Sequence, residues 1–370
     1  MTTRSHSAPP VLDLHTPLLS PTTESQRHLD YMAKITKYQQ LPCYKQKSKE
    51  WLDQRNNFLT ASTIAAAIGA MGPVARKNLL INKVSYGATN AFNGSVATHW
   101  GNKYEPVANA IYSHRNHAHI YAFGLVTNPK YPELGVSPDG ITIDNMIEIK
   151  CPYSRVIDGH IKTEYQHQIQ EQLAVCEFDQ SAFLECKFEE LLETRFWDDF
   201  DYIDDCDESH DGSREKGIIM AYYDYDEQDM EYLYSPIECY TSRTQMQQWQ
   251  QETLKRFQTD PKRLFLYQTY WSCTRYCCQM VQRDPEWIRQ YYPLLQTFWK
   301  EVEHYRQLGL EALMAENKSE SDNEKDVPMD PPDIASFYPP KTILCGGSLT
   351  TALRVGSSSS PTKSKSRCLL

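Results

Sequence analysis

The segment Ser137-Pro138-Asp139-Gly140-Ile141-Thr142-Ile143-Asp144-Asn145-Met146-Ile147-Glu148-Ile149-Lys150 constrains the fold more than any other part of the chain. Two short β-prone runs flank Asp144-Asn145. Both of those residues tolerate positive φ, so a two-residue hairpin turn is expected between the runs. In that register Ile143 faces Met146, Ile141 faces Glu148 and Asp139 faces Lys150. Side chains alternate along a strand, so Asp139, Ile141 and Ile143 share one face with Met146, Glu148 and Lys150. Asp139 is then the direct neighbour of Lys150 and the diagonal neighbour of Glu148, about 7–8 Å away. Gly140 is read as leaving room for a ligand to come close.

Two adjacent carboxylates repel, and each raises the other's pKa. A hard divalent cation relieves that repulsion, and carboxylate oxygens completed by water suit Mg²⁺, with Mn²⁺ able to substitute. Such an ion acidifies a bound water and clamps a phosphate oxygen. Lys150 can orient or deprotonate that water and offset developing negative charge. The set suits phosphodiester hydrolysis. A surface hairpin with an ordinary Asp–Lys pair is the plainer reading of the same residues, so the rest of the chain has to decide between them.

Composition narrows the field. A length of 370 residues allows one large domain, or one domain with an appendage. No run of about eighteen apolar residues is present, so no membrane-spanning helix is expected, and the N-terminal stretch lacks the apolar core of a secretory signal. The formal net charge of −10 argues against a protein that coats nucleic acid nonspecifically. It does not exclude a cationic groove on an acidic protein. Much of the acid lies in Asp198 to Asp211 and Asp224 to Glu231, read as solvated loops. The 11 cysteines form no framework and are expected to be reduced thiols inside a cell. Neither Cys273, Cys277 and Cys278 nor His114, His117 and His119 has the spacing of a metal site. The C-terminal Cys368 is one position too close to the end for a prenylation box.

Residues 1–28, rich in Pro, Ser and Thr, are expected to be disordered, as is the tail 315–370. Helical patterns run from His28 to Tyr38, within Trp51 to Ile68, and from Trp100 to Tyr112, where Pro106 either kinks a helix or begins one. Tyr121 to Val126, Ile141 to Lys150, Ser181 to Lys187, Gly217 to Tyr223 and Glu231 to Tyr240 read as strands. Ile161, Tyr165, Ile169 and Leu173 recur at helical spacing. Thr244 to Phe257, Pro285 to Tyr292 and Leu294 to Leu313 read as helices. The order implies an α/β fold over 29–240 with a helical C-terminal extension over 241–314.

Five segments, taken in order, resemble the lambda-exonuclease-like or YqaJ viral recombinase (alkaline exonuclease) family of the PD-(D/E)xK nuclease superfamily. These are Trp51 to Arg55 with Leu59-Thr60-Ala61-Ser62; Gly101 to Tyr112 with Glu105; Gly135 to Gly140; Glu148-Ile149-Lys150-Cys151-Pro152; and Gln168-Ile169-Gln170 with Leu173. Ordered agreement is far more specific than any single segment. The resemblance covers roughly Trp51 to Lys187, with a weaker echo from Trp271 to Gly309. It implies a restriction-endonuclease-like core, a mixed central sheet flanked by helices. It implies Glu105, Asp139 and Glu148 as metal ligands, with the Ile149 carbonyl as a further one, and Lys150 serving the attacking water. Gln168 or Gln170 would support Lys150 or the substrate, and the sequence does not choose between them. Arg55, Ser62, Ser137 and Arg155 resemble a 5′-phosphate pocket, which suits the guanidinium fork and hydroxyl donors.

The implied activity is an Mg²⁺-dependent deoxyribonuclease, a 5′-to-3′ exonuclease on double-stranded DNA ends for recombination, repair or viral DNA processing. A single-strand annealing or binding protein would be its partner, and a nucleus or viral replication site its place. The rivals are an endonuclease of the same fold and a catalytically silent DNA-binding module. Plainer readings also stand: Glu105 as a helix N-terminal carboxylate, Arg55 as a surface charge, and Gln166 to Gln172 as a solvated helix face.

Overall fold

The computed structural model describes residues 21–45, 48–87, 95–198 and 215–315. Its centre is a six-stranded mixed sheet in the order β4-β5-β6-β9-β7-β8. The strands are β4 (Gly140–Ile141), β5 (Met146–Lys150), β6 (Gln180–Leu191), β7 (Lys216–Asp224), β8 (Asp229–Tyr234) and β9 (Arg263–Gln282). β5 and β6 are parallel, and the remaining neighbours are antiparallel. A smaller sheet pairs β1 (Leu59–Thr60) in parallel and β2 (Val126–Asn128) in antiparallel with β3 (Tyr131–Val136).

Helices cover both faces of the larger sheet. On one side Met146 and Phe183 join a core with Ile169 and Leu173 of α6 (Thr163–Cys176) and Phe298 and Val302 of α9 (Pro285–Leu308). On the other, Ile147, Ile149, Ala182 and Leu184 pack with Tyr104, Val107 and Ile111 of α5 (Val96–Asn116) and Met246 of α8 (Arg243–Thr259). A strand covered on both faces carries apolar residues almost without alternation. That is why β5 reads Met-Ile-Glu-Ile-Lys, and why Glu148, buried within it, stands out. The smaller elements α1 (Pro21–Tyr38), α2 (Lys49–Asn56), α3 (Ile64–Ala67), α4 (Pro73–Val84) and α7 (Glu193–Asp198) complete the helices used below.

The architecture is the expected mixed sheet flanked by helices, with several differences in detail. α1 begins at Pro21, so residues 21–28, expected to be disordered, enter a helix, and His28 Nε2 lies 2.7 Å from Asp144. Residues 1–20 and 316–370 fall outside the described part, as do residues 199–214, which include all of the first acidic stretch but Asp198. The second acidic stretch is the exposed turn of the β7–β8 hairpin together with the first residues of β8. Pro106 lies inside α5, which is capped at its start by the Ser95 hydroxyl accepting the Thr98 N–H at 3.2 Å. Glu105 is therefore mid-helix, and the helix dipole does not account for it.

The largest difference lies within 241–314. Helices α8 and α9 are present, but between them runs the 20-residue strand β9, inserted between β6 and β7. The C-terminal stretch thus supplies a strand from the middle of the sheet as well as its helices. Periodicity did not reveal it, because only Thr269 to Trp271 and Cys273 are buried and the flanks mix exposed and half-buried residues without a regular alternation. α9 also continues through Pro293, joining two stretches that read as separate helices.

Candidate active site

The β4–β5 turn sits one residue earlier than the sequence suggests, with Ile143 and Asp144 at its centre. Gly140 pairs with Ile147 and Ile141 with Met146. The Thr142 N–H donates to the Asn145 carbonyl at 2.8 Å, and the Thr142 hydroxyl accepts the N–H groups of Asp144 and Asn145, each at 3.1 Å. A threonine assigned to the strand closes the turn instead, using its hydroxyl to satisfy turn amides. Ile143 is pushed out to the tip and is exposed. The expected register, with Asp139 opposite Lys150, is therefore corrected: one step beyond the observed pairing, Asp139 comes level with Glu148. Its carboxylate accepts the Ile149 N–H at 2.6 Å. Gly140 also has a different task. A Cβ there would lie 2.4 Å from Ile120 Cγ2, so the missing side chain admits Ile120 rather than a ligand.

Glu148 is 1% exposed and is held from two elements. Lys150, two residues on and on the same face of β5, pairs with its Oε1. From α6, the Gln168 amide donates to Oε1 at 2.6 Å and the Gln172 amide to Oε2 at 2.7 Å. Gln168 and Gln172 are one helical turn apart, so a single helix face grips both oxygens. The Lys150 ammonium also lies 5.1 Å from the centre of the Tyr165 ring.

The electrostatics are those of crowded carboxylates. Burial pushes the Asp139 carboxyl well above its ordinary range, and Glu148 and Glu105 push it further. Glu105 is raised by burial and then by Glu148. Burial works against the charged form of Lys150, but Glu148 and Asp139 outweigh it and hold the ammonium above the ordinary lysine value.

A cleft of about 1320 Å³ opens over this cluster. Its walls include Glu105, Asp139, Glu148, Ile149, Lys150 and Gln168. They also include Arg55, Ser62, Ser137 and Arg155. Ten residues named from sequence, carried on α2, the turn after β1, α5, β5, α6 and their loops, thus meet at one cavity. Arg55 lies in the last turn of α2, its guanidinium 4.6 Å from the Trp51 ring.

Gln170 does not meet the others. Its amide donates to the Gln282 carbonyl at 2.8 Å, and its oxygen accepts the Asp284 N–H at 2.8 Å, tying α6 to the β9–α9 junction. Of the two glutamines, Gln168 is the one that lines the cleft. Gln172, read as one residue of a solvated face, is fully buried and bonded to Glu148. The signal that could have found it is its i, i+4 spacing from Gln168. Among the described residues no three His, Cys, Asp or Glu side chains form a ready-made metal cage, and the described cysteines are all unpaired. His119 packs edge-on against Tyr121, 4.4 Å between ring centres, rather than joining a ligand cluster.

The fold and this cluster define an α/β protein with an acidic, lysine-bearing cleft at the open end of a hairpin. Residues 50–179 match the model of the YqaJ-like viral recombinase domain. An uncharacterized protein, R354, of Acanthamoeba polyphaga mimivirus is 30% identical over 304 residues, covering 72% of this chain and 54% of that protein. The chain thus spans about half the length of the curated relative it matches. Among solved structures, an alkaline exonuclease from Laribacter hongkongensis matches with 19% identity and a TM-score of 0.44, covering 73% of this chain and 99% of that one. The same exonuclease in complex with dAMP matches with 19% identity and a TM-score of 0.44, covering 70% and 95%. No described helix is long and apolar enough to cross a membrane.

Proposed function

We propose that the chain is a metal-dependent deoxyribonuclease acting as a 5′-to-3′ exonuclease on double-stranded DNA ends. The observation that carries the reading is the gathering of Glu105, Asp139, Glu148 and Lys150 on the wall that also bears Arg55, Ser62 and Ser137. The YqaJ-like domain supports a role in recombination or viral DNA processing.

The donor set fits a divalent cation. Asp139 and Glu105 are both raised by burial and by neighbouring carboxylates, and a hard cation offsets that cost with the oxygen ligands it prefers. Glu105, Asp139, Glu148 and the Ile149 carbonyl would hold Mg²⁺, with Mn²⁺ as a substitute. Bound there, it would supply a nucleophilic water near neutral pH and charge compensation at phosphate. The protein's own residues do the positioning. Lys150, held as an ammonium, orients the attacking water and offsets charge developing on phosphate. Gln168 and Gln172 fix the Glu148 carboxylate. Arg55, Ser62 and Ser137 bind a terminal 5′-phosphate, and the Trp51 ring holds the Arg55 fork in place.

The test is hydrolysis of linear duplex DNA with and without a 5′-phosphate, in Mg²⁺, beside a covalently closed circle. Wild type is expected to degrade the linear DNA, to favour the phosphorylated end and to spare the circle. Cutting of the circle would identify an endonuclease. Binding without any cutting, in Mg²⁺ or Mn²⁺, would identify a silent DNA-binding module.

A further inference from the structure

Strand β6 runs beside β5 with Glu185 level with Lys150. Glu185 is 1% exposed. One of its oxygens pairs with Nη2 of Arg155, and the other is buried with no hydrogen-bond partner. Two residues on, and on the same face of the strand, Lys187 Nζ donates to the carbonyls of Pro152 at 3.1 Å and Tyr153 at 2.6 Å. One strand therefore grips the loop that follows Lys150 twice, by its backbone and by its arginine.

A buried carboxylate is costly unless it is paired, and Arg155 supplies the pairing. The guanidinium has more donors than Glu185 can use. Among the described residues its one further hydrogen bond is a long one, from Nη1 to the Val156 carbonyl at 3.4 Å. Arg155 lines the cleft, with 23% of its side chain exposed, 6.0 Å from the Tyr165 ring that also faces Lys150.

We propose that Glu185 is a positioning residue that fixes Arg155 on the floor of the cleft, so that the outward edge of the guanidinium contacts a backbone phosphate of bound DNA. This rests on the reading of the cleft as a DNA site. Glu185 takes one edge of the fork and leaves the other for phosphate, so the arginine arrives already ordered rather than as a free, mobile charge.

The test is duplex binding against salt concentration, without divalent ions so that nothing is cut. Each phosphate contact contributes about 0.9 to the steepness of log affinity against log salt. Arg155→Ala is expected to lower the slope by about one contact. Glu185→Ala is expected to lower it equally, and the double variant no further. Glu185→Gln keeps the shape and removes the charge. It is expected to weaken binding several-fold with a smaller loss of slope, and it decides the matter if Glu185→Ala does not fold. A wild-type slope in both Glu185 variants overturns the proposal. So does a steeper slope, which would mean that the carboxylate only repels DNA. Hydrolysis of linear DNA by the same wild-type preparation is scored separately. Its absence removes the nuclease reading and leaves the slope comparison standing, whereas failure of the wild type to bind duplex overturns both.

Discussion

The Asp139 carboxylate accepts the backbone N–H of Ile149 at 2.6 Å, across the open end of the β4–β5 hairpin. That bond fixes one carboxylate against the strand that carries Glu148 and Lys150, in the register that Thr142 sets by closing the turn at Asn145. The site's rigidity thus begins in main-chain geometry, and variants that spare this geometry report on chemistry alone.

Lys150→Ala is the first of these. Lys150 pairs with Glu148 on the same strand, and removing it leaves the hairpin register untouched. Hydrolysis of linear DNA is expected to fall by about 10²-fold or more. Circular dichroism should be unchanged, and duplex binding should persist. Retention of wild-type turnover would remove Lys150 from the reaction.

Gln172→Leu separates support of Glu148 from catalysis. Leucine fills a similar volume but leaves Glu148 Oε2 without its donor. A buried acceptor left unsatisfied costs about 1–3 kcal/mol, which denaturant unfolding should register alongside reduced turnover. Gln170→Leu should destabilise by a similar ~1–3 kcal/mol, because it strips partners from the Gln282 carbonyl and the Asp284 N–H. Its folded fraction should turn over like wild type. A turnover defect specific to the Gln170 variant at full folding would reverse these roles.

Stability without divalent ions should fall as pH rises. Burial, then Glu148 and Glu105, raise Asp139 in the folded state, so the folded protein holds a proton that the unfolded chain has released. Such a group contributes its stability below its unfolded pKa, near 4 (roughly). That contribution is lost as pH climbs toward the raised folded value. Thermal midpoints measured in EDTA should therefore decline through that window. Asp139→Asn should flatten the decline, and Mg²⁺ should raise the midpoint most at the alkaline end. A rising midpoint in EDTA with no effect of Asp139→Asn would contradict the crowded-carboxylate picture.

Truncation after Tyr240 should leave no folded nuclease core. It removes β9, which pairs with β6 along one side and β7 along the other, and it removes Trp287, whose indole donates to His167 Nδ1 at 2.9 Å. A cooperative unfolding transition in the truncated chain would show that the remaining strands suffice.

Arg55→Ala should abolish preference for a 5′-phosphorylated end while leaving hydroxyl-ended DNA a substrate, as measured by initial rates on the two duplexes. Arg55 is set by its surroundings: Lys83 Nζ donates to the Arg55 carbonyl at 2.9 Å, and Arg306 Nη2 to the Asn56 carbonyl at 2.7 Å. Equal preference in the variant and the wild type would place phosphate recognition elsewhere.

The sequence by itself determined which residue types could meet. Acids and a lysine around a β-prone turn, glutamines on an apolar-striped helix, and an arginine before a Thr-Ala-Ser turn are chemical facts of the chain, readable because strand and helix periods are local. Asp139, Glu148 and Lys150 were legible for that reason, and Glu105 and Gln168 only through the resemblance of ordered segments to a known family. Tertiary structure decided what local periods cannot. The Thr142 hydroxyl, by accepting the Asp144 and Asn145 N–H groups, placed the turn one residue earlier than the local pattern indicates. The face of α6 turned Gln172 inward and gave Gln170 to the β9–α9 junction. β9, half exposed and without a clean alternation, became a central strand only because β6 and β7 offered it two unpaired edges. Glu185 carried no signal in its own neighbourhood. Its significance comes from Lys150 beside it and Arg155 above it, residues that a parallel strand pairing brings together and that no spacing along the chain could announce.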